Sequence, residues 1–258
     1  MEFDANWVLY EKTGHIARIT LNRPEKLNAL TTEMNQRFME LLTQYQNDPD
    51  LRAMIITGAG RGFCPGEDAA EMAEMDRAAA LKPEVMPHRS NVVPNFMVEA
   101  IDKPLIAAVN GVAAAMGYGI ALACDIRVAS ETARFTHLYL KRGLVPSGEF
   151  WYLPRYMGMA QAMYYLLTGA AMDAQEALRW GLVCKVVPQE RLQQEAMQIA
   201  EAVASQPPLS VRFTKRIART IEAKPYIEAM DEITWARAIA KTAEGATESF
   251  QAFLDKKK

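Results

Sequence analysis

AVNGVAAAMGYGIALACD, residues 108–125, is a segment made almost entirely of small and apolar side chains. Such a composition indicates a buried segment, yet Gly111, Gly117 and Gly119 fall within nine positions of it. A glycine inside a helix costs about 1 kcal/mol relative to alanine. The three glycines therefore predict a place where another backbone segment or a ligand approaches closely.

Strands and helices alternate on both sides of this segment. Two extended runs, residues 8–10 and 15–21, predict a hairpin. Thr31 or Thr32 is expected to cap a helix whose apolar residues recur at helical spacing. A helix is also predicted near residues 116–123, and further strands are predicted at residues 53–57, 105–109, 126–129 and 134–136. This alternation is typical of a layered α/β domain.

The end of the chain is predicted to be helical. The pattern changes from about residue 159 onward, and amphipathic helices are predicted at residues 192–205, 208–221, 226–241 and 244–254. Helices grouped in this way often pack on a neighbouring subunit as well as on their own core.

Composition restricts the classes of function. The chain has 258 residues and a net charge of -2, which argues against binding to nucleic acid or to an anionic membrane. Its three cysteines are widely spaced, so neither a zinc site nor a disulfide framework is predicted. The first residues lack the pattern of a signal peptide, and no apolar run is long enough to span a membrane. We expect a cytoplasmic protein with no bound metal.

Two junctions, within residues 57–68 and 108–125, lead from a buried strand through small residues into a helix. The first turn of a helix carries unpaired N–H groups and a partial positive charge. Two such ends meeting in space would stabilise an oxygen that becomes negative in a transition state. The alternative is that the glycines serve only to let helix and sheet pack closely.

Seven motifs make the sequence resemble the crotonase (enoyl-CoA hydratase/isomerase) superfamily over nearly its whole length. They are ITLNRPEKLNAL (19–30), MIITGAGRGFCPGED (54–68), KPLIAAVNGVAAAMGYGIALACDIRVAS (103–130), ARF (133–135), GLVP (143–146), LPRYMGMAQAMYYLLTG (153–169) and DAQEALRWGLVCKVVP (173–188). The resemblance implies an α/β fold, a spiral of ββα units with a C-terminal helical trimerisation region. Residues 1–195 would form the acyl-CoA-binding core and residues 196–258 the helical region of a homotrimer or a hexamer of two trimers.

The same resemblance implies an acyl-CoA thioester substrate and no cofactor beyond its CoA moiety. The thioester oxygen would accept hydrogen bonds from the backbone amides of Glu67 and Met116; Pro65 has no N–H to offer. The family usually has glycine where this chain has Met116, so the shape of the pocket is expected to differ. Phe250 and the terminal lysines would lie near the nucleotide in a neighbouring subunit. The residues expected to contact CoA or shape its site are Lys26, Leu27, Ala29, Cys64, Gly66, Asp68, Ala69 and Gly117.

Both glutamates of the family's hydratases are missing at the matching positions, where this chain has Gly119 and Tyr139. Paired carboxylates deliver one water and supply a proton to carbon, so their loss argues against ordinary hydration. Family members that isomerise aromatic rings or remove halogens have an aspartate directly after the GLVP-type segment, and this chain has Ser147 there.

Glu149 is the leading candidate for the acid/base group. If it is buried beside Phe150 and Trp151, its pKa would be raised, which suits proton transfer near neutral pH. The alternative is a solvent-facing glutamate at a helix N-terminus, where the helix dipole favours it. Tyr139, Ser147 and His137 would assist, although an aromatic residue more often lines a pocket and a lone histidine is more often structural.

A mobile lid over the acyl chain is expected at residues 79–93, which include His88. Met116 and four other methionines would form an adaptable apolar pocket or simply belong to the core; the four are Met72, Met75, Met86 and Met97.

The predicted function is an acyl-CoA enzyme that stabilises a thioester enolate or oxyanion with two backbone N–H groups. Isomerisation, hydrolysis or carbon–carbon cleavage is favoured over hydration. A hydratase that uses unusual acid/base groups, and a catalytically silent acyl-CoA-binding protein, are the alternatives.

Overall fold

Two sheets and a group of helices make up the described part of the chain, which in this computed structural model comprises residues 4–73, 98 and 100–242. The strands are β1 (Val8–Thr13), β2 (Ile16–Leu21), β3 (Ala53–Gly58), β4 (Gly62–Cys64), β5 (Leu105–Val109), β6 (Val112–Ala114), β7 (Ile126–Ser130), β8 (Arg134–Thr136), β9 (Met172–Asp173) and β10 (Lys185–Val187). Apart from a helix that begins at residue 69, the main α-helices of the described residues are α1 (Thr32–Asn47), α2 (Met116–Ala123), α3 (Glu149–Thr168), α4 (Ala174–Arg179), α5 (Leu192–Ala204), α6 (Pro208–Thr220) and α7 (Tyr226–Thr242).

The chain crosses from one sheet to the other in each repeat. The longer sheet has the order β1-β2-β3-β5-β7-β10, and the shorter has the order β4-β6-β8-β9. Strands β3, β5 and β7 are therefore followed by β4, β6 and β8, and neighbours within each set run parallel. Three successive turns stacked in this way form a spiral, and the strand ends of neighbouring turns lie side by side.

The longer sheet is covered on both faces. All residues of β3 and β5 are buried, and they are largely apolar, as expected for parallel strands covered on both sides. The small residues of α5 that face the sheet pack on one side of it; they are Ala196, Ala200 and Ala204. The main core lies on the other side and includes the buried face of α1 and all of α2.

Most predicted element positions agree with the structure. The hairpin joins β1 and β2, and Thr31, rather than Thr32, caps α1 by accepting a 3.2 Å hydrogen bond from the Met34 amide. The three-residue strands β4 and β6 were not predicted, and α3 begins at Glu149, about ten residues before the expected change to helix. Residues 244–254 lie outside the described residues.

Candidate active site

The first junction is held in an extended form beside the loop that precedes α1. The Leu30 amide donates to the Gly66 carbonyl at 2.9 Å, and the Asp68 amide donates to the Leu30 carbonyl at 2.8 Å. These two bonds pair Leu30 with Glu67 as in a short parallel ladder. Asp68 then caps the helix that begins at residue 69, because its Oδ1 accepts from the Ala70 amide at 3.0 Å.

The second junction turns sharply between β6 and α2. Ala115 has φ 46° and ψ -122°, a conformation that residues with a side chain rarely adopt. Strained backbone of this kind is concentrated at functional sites. The turn makes buried Met116 the first residue of α2, so its amide has no acceptor within the helix. Among the described residues this amide donates no backbone hydrogen bond outside the helix either.

The two junctions are in direct contact. A Cβ atom added to Gly66, which has φ 106°, would lie 2.9 Å from Ala115 Cβ and 3.3 Å from the Met116 amide nitrogen. A Cβ atom added to Gly117 would lie 2.1 Å from the Cys64 carbonyl oxygen. Two glycines thus allow the main chain on either side to approach, and the structure brings the segments that contain Glu67 and Met116 together.

Residues 23–29 form the loop that contains the predicted CoA contacts Lys26, Leu27 and Ala29, and its asparagine fixes it to the rest of the chain. Leu27 and Asn28 both have a left-handed conformation, with φ 54° and 69°. The buried Asn28 amide group donates to the Ala59 carbonyl at 3.0 Å and to the Gly62 carbonyl at 2.7 Å, and its Oδ1 accepts from the Arg23 amide at 2.8 Å. Lys26 is exposed on the same loop, whereas Ala29 is buried.

A buried ion pair joins this loop to the first junction. Arg23 is 3% exposed, and its guanidinium donates to the Asp68 carboxylate at 2.7 Å. The same guanidinium lies over the Trp7 ring, 5.0 Å from its centroid. Arg23 holds the pKa of Asp68 below its usual value. The sequence placed Arg23 and Asn28 in the loop expected to contact CoA but did not reveal these contacts; the only signal is that both are polar residues within the LNRPEKLNAL motif.

The remaining residues of the two junctions are buried or line the surface beside them. Cys64 is fully buried, and burial raises the pKa of its thiol to about 12, so it is a packing residue and not a nucleophile. Gly117 is buried, Glu67 is half-buried and Ala69 is exposed.

Glu149 is buried, so the alternative of a solvent-facing glutamate is wrong. Its side chain is 0% exposed at the first position of α3, and Oε2 accepts a 3.0 Å hydrogen bond from the Ser147 amide. Burial raises the pKa of this carboxyl group. Phe150 and Trp151, the aromatic residues that follow it in the sequence, are about half exposed.

Charged groups in both parts of the candidate site act on Tyr139. Burial raises the pKa of Tyr139, and the carboxylates of Glu149 and Glu67 raise it further. The Tyr139 side chain thus lies within electrostatic range of both the first junction and the acid/base candidate. Ser147 is exposed, whereas His137 is buried directly after β8, with Nε2 2.9 Å from the Tyr165 carbonyl oxygen. Glu149 is likewise within range of His137.

A cavity of about 610 Å³ lies near the other end of α2, and none of the predicted site residues lines it. Its walls include Leu122, Tyr156 and Lys215.

The lid segment 79–93 with His88, the methionines Met75, Met86 and Met97, and Phe250 lie outside the described residues. Within the described ranges, no group of three or more His, Cys, Asp or Glu side chains is arranged to hold a metal ion. No helix in that part of the chain has the length and apolar character needed to cross a bilayer.

Comparisons with known proteins find relatives that are named for CoA thioesters and solved structures that have the same fold. The enoyl-CoA hydratase/isomerase family model matches residues 11–258. The chain is 35% identical to the 1,2-epoxyphenylacetyl-CoA isomerase of Escherichia coli, covering 94% of this chain and 93% of the relative. It is 36% identical to the (E)-benzylidenesuccinyl-CoA hydratase of Thauera aromatica, covering 97% and 96%. The crystal structure of an enoyl-CoA hydratase from Bacillus anthracis superposes with a TM-score of 0.87 at 32% identity, covering 97% and 96%. The predicted fold class is confirmed.

Proposed function

Because the chain belongs to the enoyl-CoA hydratase/isomerase family, we propose that it binds the thioester oxygen of an acyl-CoA between the backbone amides of Glu67 and Met116. The chain is an acyl-CoA-processing enzyme of this superfamily. The observation that supports the oxygen site is the contact between Gly66 and the Ala115–Met116 turn, since it aligns two strand-to-helix junctions at one point. Donors fixed in this way favour a negatively charged oxygen without reorganising during the reaction.

In this proposal Glu149 is the acid/base group. A thioester oxygen held by two N–H groups acidifies the neighbouring carbon, and a carboxylate within reach removes its proton to leave an enolate. A single carboxyl group is enough to remove a proton and return it to a different carbon, which moves a double bond. The raised pKa of buried Glu149 suits both steps near neutral pH. Isomerisation is therefore the favoured reaction, with hydrolysis and carbon–carbon cleavage as its competitors.

The side chain of Met116 is proposed to change the shape of the acyl pocket, because the family usually has glycine at this position. Its amide donates as well as that of glycine, so the substitution alters the space for the acyl group and leaves the donor in place. Lys26, Leu27 and Ala29 are proposed to contact the CoA portion, together with Asp68 and Ala69 of the first junction, whereas the fully buried Cys64 supports this surface without contacting CoA.

Assembly into a homotrimer, or a hexamer of two trimers, is part of the same proposal. Large apolar side chains remain exposed on α7, where Tyr226, Ile227 and Trp235 are each at least 70% exposed. In this arrangement residues 1–195 hold the substrate and residues 196–258 supply subunit contacts. Native mass spectrometry of the purified protein checks this; a monomer at micromolar concentration would contradict it.

The oxygen site is tested by two substitutions at one position. Glu67→Pro removes the amide N–H at this position, whereas Glu67→Ala keeps it. The two hydrogen bonds to Leu30 use the Gly66 carbonyl and the Asp68 amide, so neither substitution removes their donors or acceptors. We expect kcat to fall about 100- to 1000-fold for the proline variant only. Equal activity of the two variants would show that this amide does not bind the reacting oxygen.

The acid/base role is tested by hydrogen exchange and product analysis. The protein is incubated in D2O with a 3-enoyl-CoA, and both deuterium uptake and formation of the conjugated 2-enoyl-CoA are followed. We expect Glu149→Gln to lose about 100- to 10,000-fold in rate and the exposed Glu131→Gln control to be unchanged. Rapid hydration of crotonyl-CoA would instead identify a hydratase. Binding without turnover of any thioester would identify a silent acyl-CoA-binding protein.

A further inference from the structure

The cavity of about 610 Å³ is bounded by α2, α3 and α6, and the proposed function makes no use of it. We call it the α3–α6 cavity, after the two helices that supply most of its lining. It opens beside the carboxyl end of α2, whereas the Met116 amide lies at the amino end, so the eight residues of the helix, about 12 Å, separate the cavity from the proposed oxygen site. Its volume lies in the range of pockets that bind small organic molecules.

One wall of the α3–α6 cavity is aromatic and comes from α3. It consists of Trp151, Tyr152 and Tyr156. The rings of the two tyrosines are nearly parallel, with 7° between their planes and 6.4 Å between their centroids. Tyr156 is fixed by the buried Arg127, whose guanidinium lies 4.8 Å from the ring centroid and donates to the tyrosine hydroxyl at 2.9 Å. A flat and fixed wall of this kind suits an apolar or aromatic group.

The opposite wall comes from α6 and carries a buried lysine. The side chain of Lys215 is 8% exposed, and its Nζ donates to the Asp125 carboxylate and to the Lys103 carbonyl, each at 2.8 Å. An ammonium group has three N–H donors, so one of them has no acceptor among the described residues. Arg219, one turn further along α6, also pairs with Asp125 at 2.8 Å. One carboxylate thus serves two cations, and burial together with the charge of Arg219 lowers the pKa of Lys215.

The other acidic groups of the lining are already matched. The charged lining residues are Arg155, Lys215, Arg216 and Arg219 against Asp102, Asp125 and Glu222. Asp102 pairs with Arg212 at 3.2 Å, and Glu222 lies 3.8 Å from Arg155. Arg216 forms no ion pair within the part of the chain that the structure describes. The cavity therefore keeps an excess of positive charge beside its aromatic wall.

We propose that the α3–α6 cavity is a second binding site, for a small organic acid that has an apolar or aromatic body and one carboxylate. The body lies against Tyr152 and Tyr156, and the carboxylate accepts a hydrogen bond from the remaining N–H of Lys215. A neutral apolar molecule would leave this N–H without an acceptor. A polyphosphate would need a group of unpaired cations, whereas Lys215 and Arg219 already share Asp125. The site does not depend on the proposed function, because no residue of the proposed oxygen site or acid/base group lines it.

The test is calorimetric titration of the purified protein with naphthalene-2-carboxylate, and the matched neutral probe is naphthalene-2-carboxamide. We expect one carboxylate to bind per chain, about tenfold more tightly than the amide, because it forms a charge-assisted hydrogen bond. Saturating CoA is expected to leave this binding unchanged. Absence of binding, equal affinity for the two probes, or displacement of the carboxylate by CoA would overturn the proposal.

Two substitutions locate the bound acid. Ala218→Trp places a bulky ring on an exposed residue of the lining, and Ala238→Trp, exposed on α7 and outside the lining, is its control. We expect the first to weaken carboxylate binding about tenfold or more and the second to leave it unchanged. Lys215→Met should lower the affinity for the carboxylate to that for the amide.

Circular dichroism shows whether each variant is folded, and Ala218→Trp decides alone if Lys215→Met does not fold. Wild-type affinity for the carboxylate in folded Ala218→Trp would refute the site. Since no readout uses catalysis, an inactive or differently acting enzyme would refute the proposed function and leave this result intact.

Discussion

Gly117→Ala sets two physical effects against each other at the centre of the candidate site. Gly117 is the second residue of α2, and helix propensity alone would favour alanine by about 1 kcal/mol. The added Cβ would lie 2.1 Å from the Cys64 carbonyl oxygen and 2.6 Å from Cys64 Cβ, whereas ordinary contacts begin at 3.4 Å. The backbone carbonyl belongs to a buried strand, so α2 and β4 must separate by about 1 Å. Overpacking of this kind costs about 1–3 kcal/mol and occasionally more.

The clash is with backbone and a rotamer change cannot relieve it, so we expect an overpacking cost of about 4 kcal/mol, above the usual range, and a net loss of about 3 kcal/mol after the gain in helix propensity. For a chain of this size that corresponds to a melting temperature about 6–12 °C lower in a calorimetric scan. Gly181→Ala is the matched control: its Cβ would meet nothing within 4 Å, and its φ of 72° adds only backbone strain of about 1–2 kcal/mol. A Gly117→Ala protein that melts at or above the wild-type temperature would refute the contact between the two junctions.

Two further outcomes follow from the buried groups beside these junctions. Asp68→Asn keeps a good helix cap but leaves the Arg23 charge buried without its partner, and we expect thermal or urea unfolding at pH 7 to show a loss of about 3 kcal/mol. The pKa of Asp68 is lower in the folded than in the unfolded protein. Its contribution to the free energy of unfolding is therefore complete above the unfolded pKa of about 4 and is lost as the pH falls through the folded pKa. The difference in stability between wild type and Asp68→Asn should disappear in acid, and a difference that stays constant would contradict the ion pair. Iodoacetamide should label exposed Cys184 first and reach buried Cys64 and Cys124 only on unfolding, as peptide mass spectrometry would reveal; rapid native labelling of Cys64 would make it reactive.

Local pattern in the sequence was enough to locate the elements that have a clear period or a clear boundary. The helix α1 has regularly spaced apolar residues and a threonine at its start, and β3 and β5 are continuous apolar runs, so all three were predicted to within a residue or two. The strands β4 and β6 have three residues each and consist mostly of glycine and other small residues. Their extended form depends on pairing with each other across the spiral, which no local pattern contains.

The same distinction applies to the candidate site. The positions of the two junctions followed from glycines next to helix starts and from the family motifs. The carbonyl groups that accept from Asn28 Nδ2 lie more than 30 residues away in the sequence, and the carboxylate that pairs with Arg23 is Asp68, so neither contact follows from spacing. The burial of Glu149 was undecided for the same reason. A glutamate at the first position of a helix is compatible with solvent and with the interior, and only the tertiary structure removes Glu149 from water.

Binding of the thioester oxygen and choice of reaction depend on different parts of this chain. In the proposal above the oxygen is held by main-chain amides, which every residue except proline provides, so Met116 serves as well as a glycine would. These donors depend on the backbone, which is retained in an enoyl-CoA hydratase at 32% identity. Proton transfer depends on side chains, and relatives named as an isomerase and as a hydratase are 35% and 36% identical to this chain. Similarity to these relatives is therefore equal for the two reactions, and the acid/base group distinguishes them. With Gly119 and Tyr139 at the positions that the resemblance assigns to the family's glutamates, we propose Glu149 as that group, and its replacement by glutamine separates proton transfer from binding.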